Sequence, residues 1–299
     1  MTGPERQPGA TGFALRDSYP WADLTGLARA GEEAGYRALF LPEVGARDTL
    51  ATLAGLAADT DRLLLGTGVV PVPARSPALL AMAAATVQEA SGGRLVLGVG
   101  TGPAVAGALT RLGSTVEALR LAFAGGRGTV DGAPVATDLQ LETPPQIWIA
   151  ALGPKATRLA GAIADGVILN WCTPERVAAA AAEVAGGAEA AGRDPAVVTI
   201  AVYVRAALSP GTQDAARRAA AAYATYPAYR RQFADLGIDA ADPDDVVREV
   251  ILTDPASARD RLDAYRGAGA HLPVVYPIVP SGAPDVAAAR LTLDLLAPT

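Results

Sequence analysis

Residues 151–171 read ALGPKATRLAGAIADGVILNW, and this window holds the only lysine (Lys155) and the only asparagine (Asn170) among 299 residues. A lysine at the start of a helix points to a bound anion. Backbone N–H groups there already carry partial positive charge, so a bare cation is disfavoured unless a negative group such as phosphate rests between them. The surrounding residues predict that setting. The run 146–151, QIWIAA, is apolar with β-branched and aromatic residues and reads as a buried strand. Gly153 supplies a turn, and Pro154 suits the first helical position, where its missing N–H goes unused. Lys155 then lies in the first turn of a helix over 155–164 that stops at Asp165-Gly166. A second buried strand, 167–171, carries Asn170 at its end.

Strand, turn, helix and strand make a βαβ unit, which implies a parallel sheet with ligands at the C-terminal ends of its strands. The unit recurs. Strands are expected at 12–16, 37–41, 62–67, 94–99, 146–151, 167–171, 197–206 and 271–279. Helices are expected at 21–34, 48–58, 77–90, 103–123, 155–164, 174–191 and 285–296, with a Gly-rich loop over 125–145. Eight strands alternating with helices in one chain of this length predict a single (β/α)8 barrel spanning 1–299, an α/β fold of the TIM type. Its competitor is an open doubly wound sheet, suggested by Gly98-Val99-Gly100-Thr101-Gly102 after a strand. That glycine set has Pro103 where the dinucleotide-binding pattern needs a third glycine. Residues 213–256 break the rhythm, with Tyr223, Tyr226, Tyr229 and Phe233 at helical spacing, and read as a helical insertion before the eighth strand. Residues 1–11 read as a flexible tail.

Composition bounds the function. A hydrophobic content of 51% with 19% charged residues suits a globular enzyme, and no apolar run approaches a membrane span. The opening MTGPERQPGATG lacks the apolar core of a signal peptide, so a cytoplasmic protein is expected. A net charge of -6 argues against nucleic acid as a partner. With one cysteine, Cys172, and one histidine, His271, neither a Cys/His nucleophile pair nor a His-rich metal site is expected.

Three ordered motifs carry a family resemblance: GTGVVPVPARSPALLAMAAATVQEASGGRLVLGVGTGP (66–103), ALGPKATRLAGAIADGVILNW (151–171) and DPASARDRLDAYRGAGAHLPVVYPIV (254–279). Together they resemble the luciferase-like monooxygenase superfamily, within it the branch of oxidoreductases that use coenzyme F420, a deazaflavin. The resemblance covers nearly the whole chain after Gly12. It implies a TIM-type barrel that binds a flavin or deazaflavin at the C-terminal strand ends and exchanges a hydride at C5 of the ring.

The same resemblance assigns residues. The cofactor ring lies against Gly68-Val69, where related proteins often have a non-prolyl cis peptide; the other reading is an ordinary glycine turn. Gly100 and Thr101 face the ring or ribityl chain, the glycine permitting close approach and Thr101 donating a hydrogen bond. Ala151, Gly153, Pro154 and Lys155 hold the phosphate. Asn170 meets cofactor or substrate, or caps its strand. Apart from the resemblance, its position directly after the second strand of a barrel makes Glu43 the candidate acid or base, against the reading of a solvated loop carboxylate. Arg16, Asp17, Tyr203, Arg205 and Tyr276 lie near strand ends that shape a substrate pocket, and His271 lies at the opposite end of the barrel in a structural role.

Two departures limit the transfer. Sugar-phosphate dehydrogenases of this branch have a glutamate after the fourth-strand GTG and a histidine after the second strand, where this chain has Pro103 and Glu43. The stretch 102–145 is also short. The first reading is therefore an F420-dependent oxidoreductase acting on a small or medium organic substrate. An FMN-dependent monooxygenase and a non-catalytic barrel are the alternatives, and a homodimer is the family's habit.

Overall fold

Strand residues alternate sides, and in this chain both sides are apolar, so each strand can be covered on two faces at once. The computed structural model describes residues 4–103, 105–280 and 284–298. In it the eight apolar runs are the strands Gly12–Ala14, Ala38–Leu41, Leu64–Thr67, Leu95–Gly100, Gln146–Ala150, Gly166–Asn170, Thr199–Ala206 and Leu272–Pro277. Each pairs in parallel with the next, and the eighth pairs with the first through Gly12–Val274 and Phe13–Val275. The sheet is a closed barrel. Closure rules out the open doubly wound sheet, and the helical insertion falls between the seventh and eighth strands.

Alternation explains the two cores. Leu39, Leu97, Ile149, Val167, Val202 and Val275 point outward against the helices. Phe40, Val96, Trp148, Ile168, Tyr203 and Val274 point inward and fill the barrel. Phe40 packs between Trp148, at 5.7 Å between ring centres, and Tyr203, at 6.1 Å. The interior is therefore solid below its mouth, and chemistry is confined to the strand ends.

A flexible tail is expected over residues 1–11; residues 1–3 lie outside the described residues, and 5–11 instead close the N-terminal end of the barrel. Glu5 is buried and faces Gln146, Arg6 lies 3.1 Å from the His271 ring, and Arg266 donates to Thr11. The apolar Ala10 belongs to the inner core, which draws the segment inward. The loop after the fourth helix differs as well, since Gly128–Val130 and Ala133–Val135 form a small antiparallel hairpin. That helix spans Ala108–Phe123 and begins later than expected, at Gly107 in the left-handed region (φ 79°).

The insertion consists of helices Gln213–Ala224, Pro227–Asp235 and Pro243–Val250, followed by Ile251–Leu252, which pairs with the seventh strand. Phe233, Ile238, Val246 and Val250 pack with Trp171 in a core of their own. The insertion thus sits over the ends of the sixth and seventh strands. Among the described residues, no helix is long and apolar enough to cross a membrane.

Candidate active site

The ends of the third, fourth and fifth strands meet in a wall almost free of side chains. The Gly68 N–H donates to the Leu41 carbonyl at 2.7 Å, and the Gly68–Val69 peptide is cis. Val70–Pro71 then pairs with Val99 and Gly100, which brings Gly100 under Val69. A Cβ on Gly100 would stand 2.9 Å from the Val69 side chain and 3.6 Å from the Ala150 methyl. A Cβ on Gly68 would collide with the Tyr203 hydroxyl. Glycine is required at both positions by close approach. Thr101 follows, half-buried, with its hydroxyl donating to the Gly102 carbonyl at 3.1 Å.

Next to this wall, the fifth strand turns into the helix Pro154–Ile163. Ala151 is buried and donates its N–H to Ile168. Gly153 is the N-cap and contributes no side-chain cap, which leaves the positive end of the helix available. Lys155 is exposed in the first turn and makes no ion pair among the described residues. The turn itself is braced from behind. Arg176 donates to the Leu152 carbonyl at 3.1 Å and to the Thr157 hydroxyl at 3.2 Å, and pairs with Glu183.

Glu43 is occupied differently. Arg75 engages both of its carboxylate oxygens, and the Thr49 N–H donates to one of them at 3.3 Å. Arg75 also pairs with Asp48 at 2.7 Å. Hydrogen bonding to Glu43 is the main cause that raises the Arg75 pKa, so the guanidinium stays charged and the pair stays closed. In this arrangement Glu43 fastens the loop after the second strand to the one after the third. It is not a free base. Asp17 has a similar task, accepting from Ala46 N at 3.0 Å.

Asn170 belongs to a cluster at the ends of the sixth and seventh strands, next to the fifth. Its Oδ1 accepts from Arg205 Nη1, and its Nδ2 donates to the Tyr229 hydroxyl at 2.9 Å. Sequence reasoning placed Arg205 and Tyr276 near the mouth but missed Trp171, Tyr223 and Tyr229 as site residues. The three- and four-residue spacing of Tyr223, Tyr226, Tyr229 and Phe233 in the insertion is the available signal, and it shows a helix face without showing what the face covers. Trp171 has a positive φ of 52°, unusual for a residue with a side chain, and this turns its ring over Arg205. Cys172 is fully enclosed, and burial pushes its thiol up to about 12, so it is inert. His271 lies at the barrel floor, where its Nδ1 accepts from Ile200 N at 2.9 Å.

Residues 4–272 match the family model for luciferase-like monooxygenase. Among curated proteins, the 5,10-methylenetetrahydromethanopterin reductase of Methanolobus tindarius is 31% identical over 212 residues, or 64% of this chain and 63% of that protein. The F420-dependent glucose-6-phosphate dehydrogenase of Nakamurella multipartita is 34% identical over 182 residues, or 52% of this chain and 54% of that protein. The matches thus span between 54% and 63% of these relatives' own lengths. Among solved structures, an F420-dependent secondary alcohol dehydrogenase in complex with an F420–acetone adduct superposes with a TM-score of 0.77 at 17% identity, over 96% of this chain and 97% of the other. The oxygenating constituent of 3,6-diketocamphane monooxygenase from Pseudomonas putida, in complex with FMN, superposes with a TM-score of 0.72 at 15% identity, over 96% of each chain. At such identities the structural likeness speaks to the fold.

Proposed function

This enzyme belongs to the luciferase-like monooxygenase family, and from that premise we propose that it transfers a hydride between coenzyme F420 and a small or medium organic substrate. The observation that carries the reading is the bare wall of Gly68, Val69, Gly100 and Ala150. A methyl on Gly100 would stand only 2.9 Å from Val69, so glycine there lets Val69 pack down on the fourth strand and leaves the half-buried Gly68–Val69 segment as the face on which a planar ring can lie. The residues fit the cofactor. Bound there, the deazaflavin supplies the carbon that gives or takes the hydride.

The chain's own groups bind and orient. Gly153 and Lys155 offer the uncapped helix end and an unpaired ammonium to the phosphate. Thr101 can turn its hydroxyl from Gly102 toward the ribityl chain. Asn170, held between Arg205 and Tyr229, presents a fixed amide at the end of the sixth strand, beside the wall, where the substrate meets the ring.

An FMN-dependent monooxygenase is the second reading, because the same wall suits a flavin ring and a monooxygenase holding FMN shares the fold. Oxygen separates the two. The hydride-transfer reading expects reduced F420 to be oxidised by a carbonyl substrate under anaerobic conditions; turnover that needs both oxygen and reduced FMN contradicts it.

A further inference from the structure

We propose that Arg205 is the substrate anchor of this enzyme, and that it selects flat, apolar substrates bearing a carboxylate. This rests on the reading above only in placing the substrate at the barrel mouth. Arg205 is buried, with 5% of its surface exposed, and no carboxylate lies within ion-pairing distance of it among the described residues. A buried cation without a counter-charge is costly and is ordinarily paired. Two half-buried arginines near C-terminal strand ends show the usual solution, Arg75 with Glu43 and Arg176 with Glu183, whereas Arg94 and Arg193 are satisfied by backbone carbonyls. Arg205 has instead one hydrogen bond, from Nη1 to Asn170, and three rings around it: Trp171 at 4.1 Å, Tyr223 at 4.9 Å and Tyr276 at 5.1 Å from Cζ.

Ring faces hold a guanidinium in place without neutralising it. A carboxylate entering the cage would therefore meet a charged, pre-oriented fork whose planar donors match its two oxygens. A single guanidinium suits a singly charged flat anion better than a phosphate, which proteins meet with several donors or a helix end. The rings that line the cage favour an apolar body on that anion.

A second buried group faces the same region without a partner. Tyr203 is two residues before Arg205 on the seventh strand, hence on the same face, and its ring lies 5.9 Å from that of Tyr276. Among the described residues its hydroxyl has no hydrogen-bond partner, and it rests against Gly68, at the edge of the wall. Burial holds the phenol neutral, so it remains a donor for a substrate oxygen.

Benzoate, benzamide and inorganic phosphate, titrated into the full chain with and without F420 and followed by tryptophan fluorescence, test this directly. Benzoate is expected to saturate at least tenfold more tightly than benzamide or phosphate, and Arg205→Met should abolish that preference while F420 affinity stays within twofold. Equal binding of benzoate and benzamide, a preference for phosphate, no binding of benzoate, or benzoate binding retained in Arg205→Met would overturn the proposal and leave the cage as a fastener of the insertion. Should Arg205→Met fail to fold, the benzoate-to-benzamide ratio of the natural chain decides alone. The F420 titration reads the cofactor proposal separately, so either can fail without the other.

Discussion

Glu43 and Lys155 both follow strand ends closely, and their surroundings give them opposite work. Glu43 is closed into a two-pronged pair with Arg75, so its removal should act on stability. Glu43→Gln is expected to lower the unfolding free energy by about 1–2 kcal/mol, the scale for weakening a charge-assisted hydrogen bond, as read by denaturant titration. Lost turnover with intact stability would instead mark Glu43 as the proton-handling group. Lys155 has no ion-pair partner among the described residues. Lys155→Ala should leave stability unchanged and weaken F420 by about 1–3 kcal/mol, the value of one charged contact to phosphate. Unchanged affinity would remove Lys155 from the site.

At the scale of elements, the strands were legible because period-two burial on both faces leaves near-continuous apolar runs, such as LVLGVG and TIAVYVRA. The helix start at Pro154 was legible from its turn chemistry. The N-terminal segment was not. Glu5 and Arg6 look like tail residues until Gln146 and His271, distant in sequence, are placed beneath the barrel to meet them. The Arg205 cage was hidden for the same reason: its rings come from the end of the sixth strand, the insertion and the eighth strand, and no local pattern joins them.

The floor carries its own prediction. Burial, and then the nearby Arg6, push His271 down to about 4 from an ordinary 6.5, so the folded chain keeps the ring neutral. Below about pH 6.5 the unfolded chain takes up a proton that the folded chain refuses, and stability falls as pH drops toward about 4. The slope approaches about 1.4 kcal/mol per pH unit for one proton. His271→Gln should remove this component from a stability profile between those pH values; an unchanged profile would assign the acid sensitivity elsewhere.

For the whole molecule, a chain of net charge -6 would bind an anionic ligand through local devices, and the described residues at the mouth offer two. One is the uncapped helix end with Lys155, and the other is Arg205 in its cage. The first follows the fifth strand and the second ends the seventh, and we propose the first for a cofactor phosphate and the second for a substrate. We further propose that two chains associate as a homodimer, an inference supported by the family resemblance; sedimentation should give twice the mass of one chain, and a single-chain mass would refute it. The most direct test of the account is a side-by-side titration of the purified chain with F420 and FMN. Saturable, submicromolar binding of F420 and much weaker binding of FMN are expected, with the F420 affinity reduced in Lys155→Ala. Tight binding of FMN without F420 would contradict it.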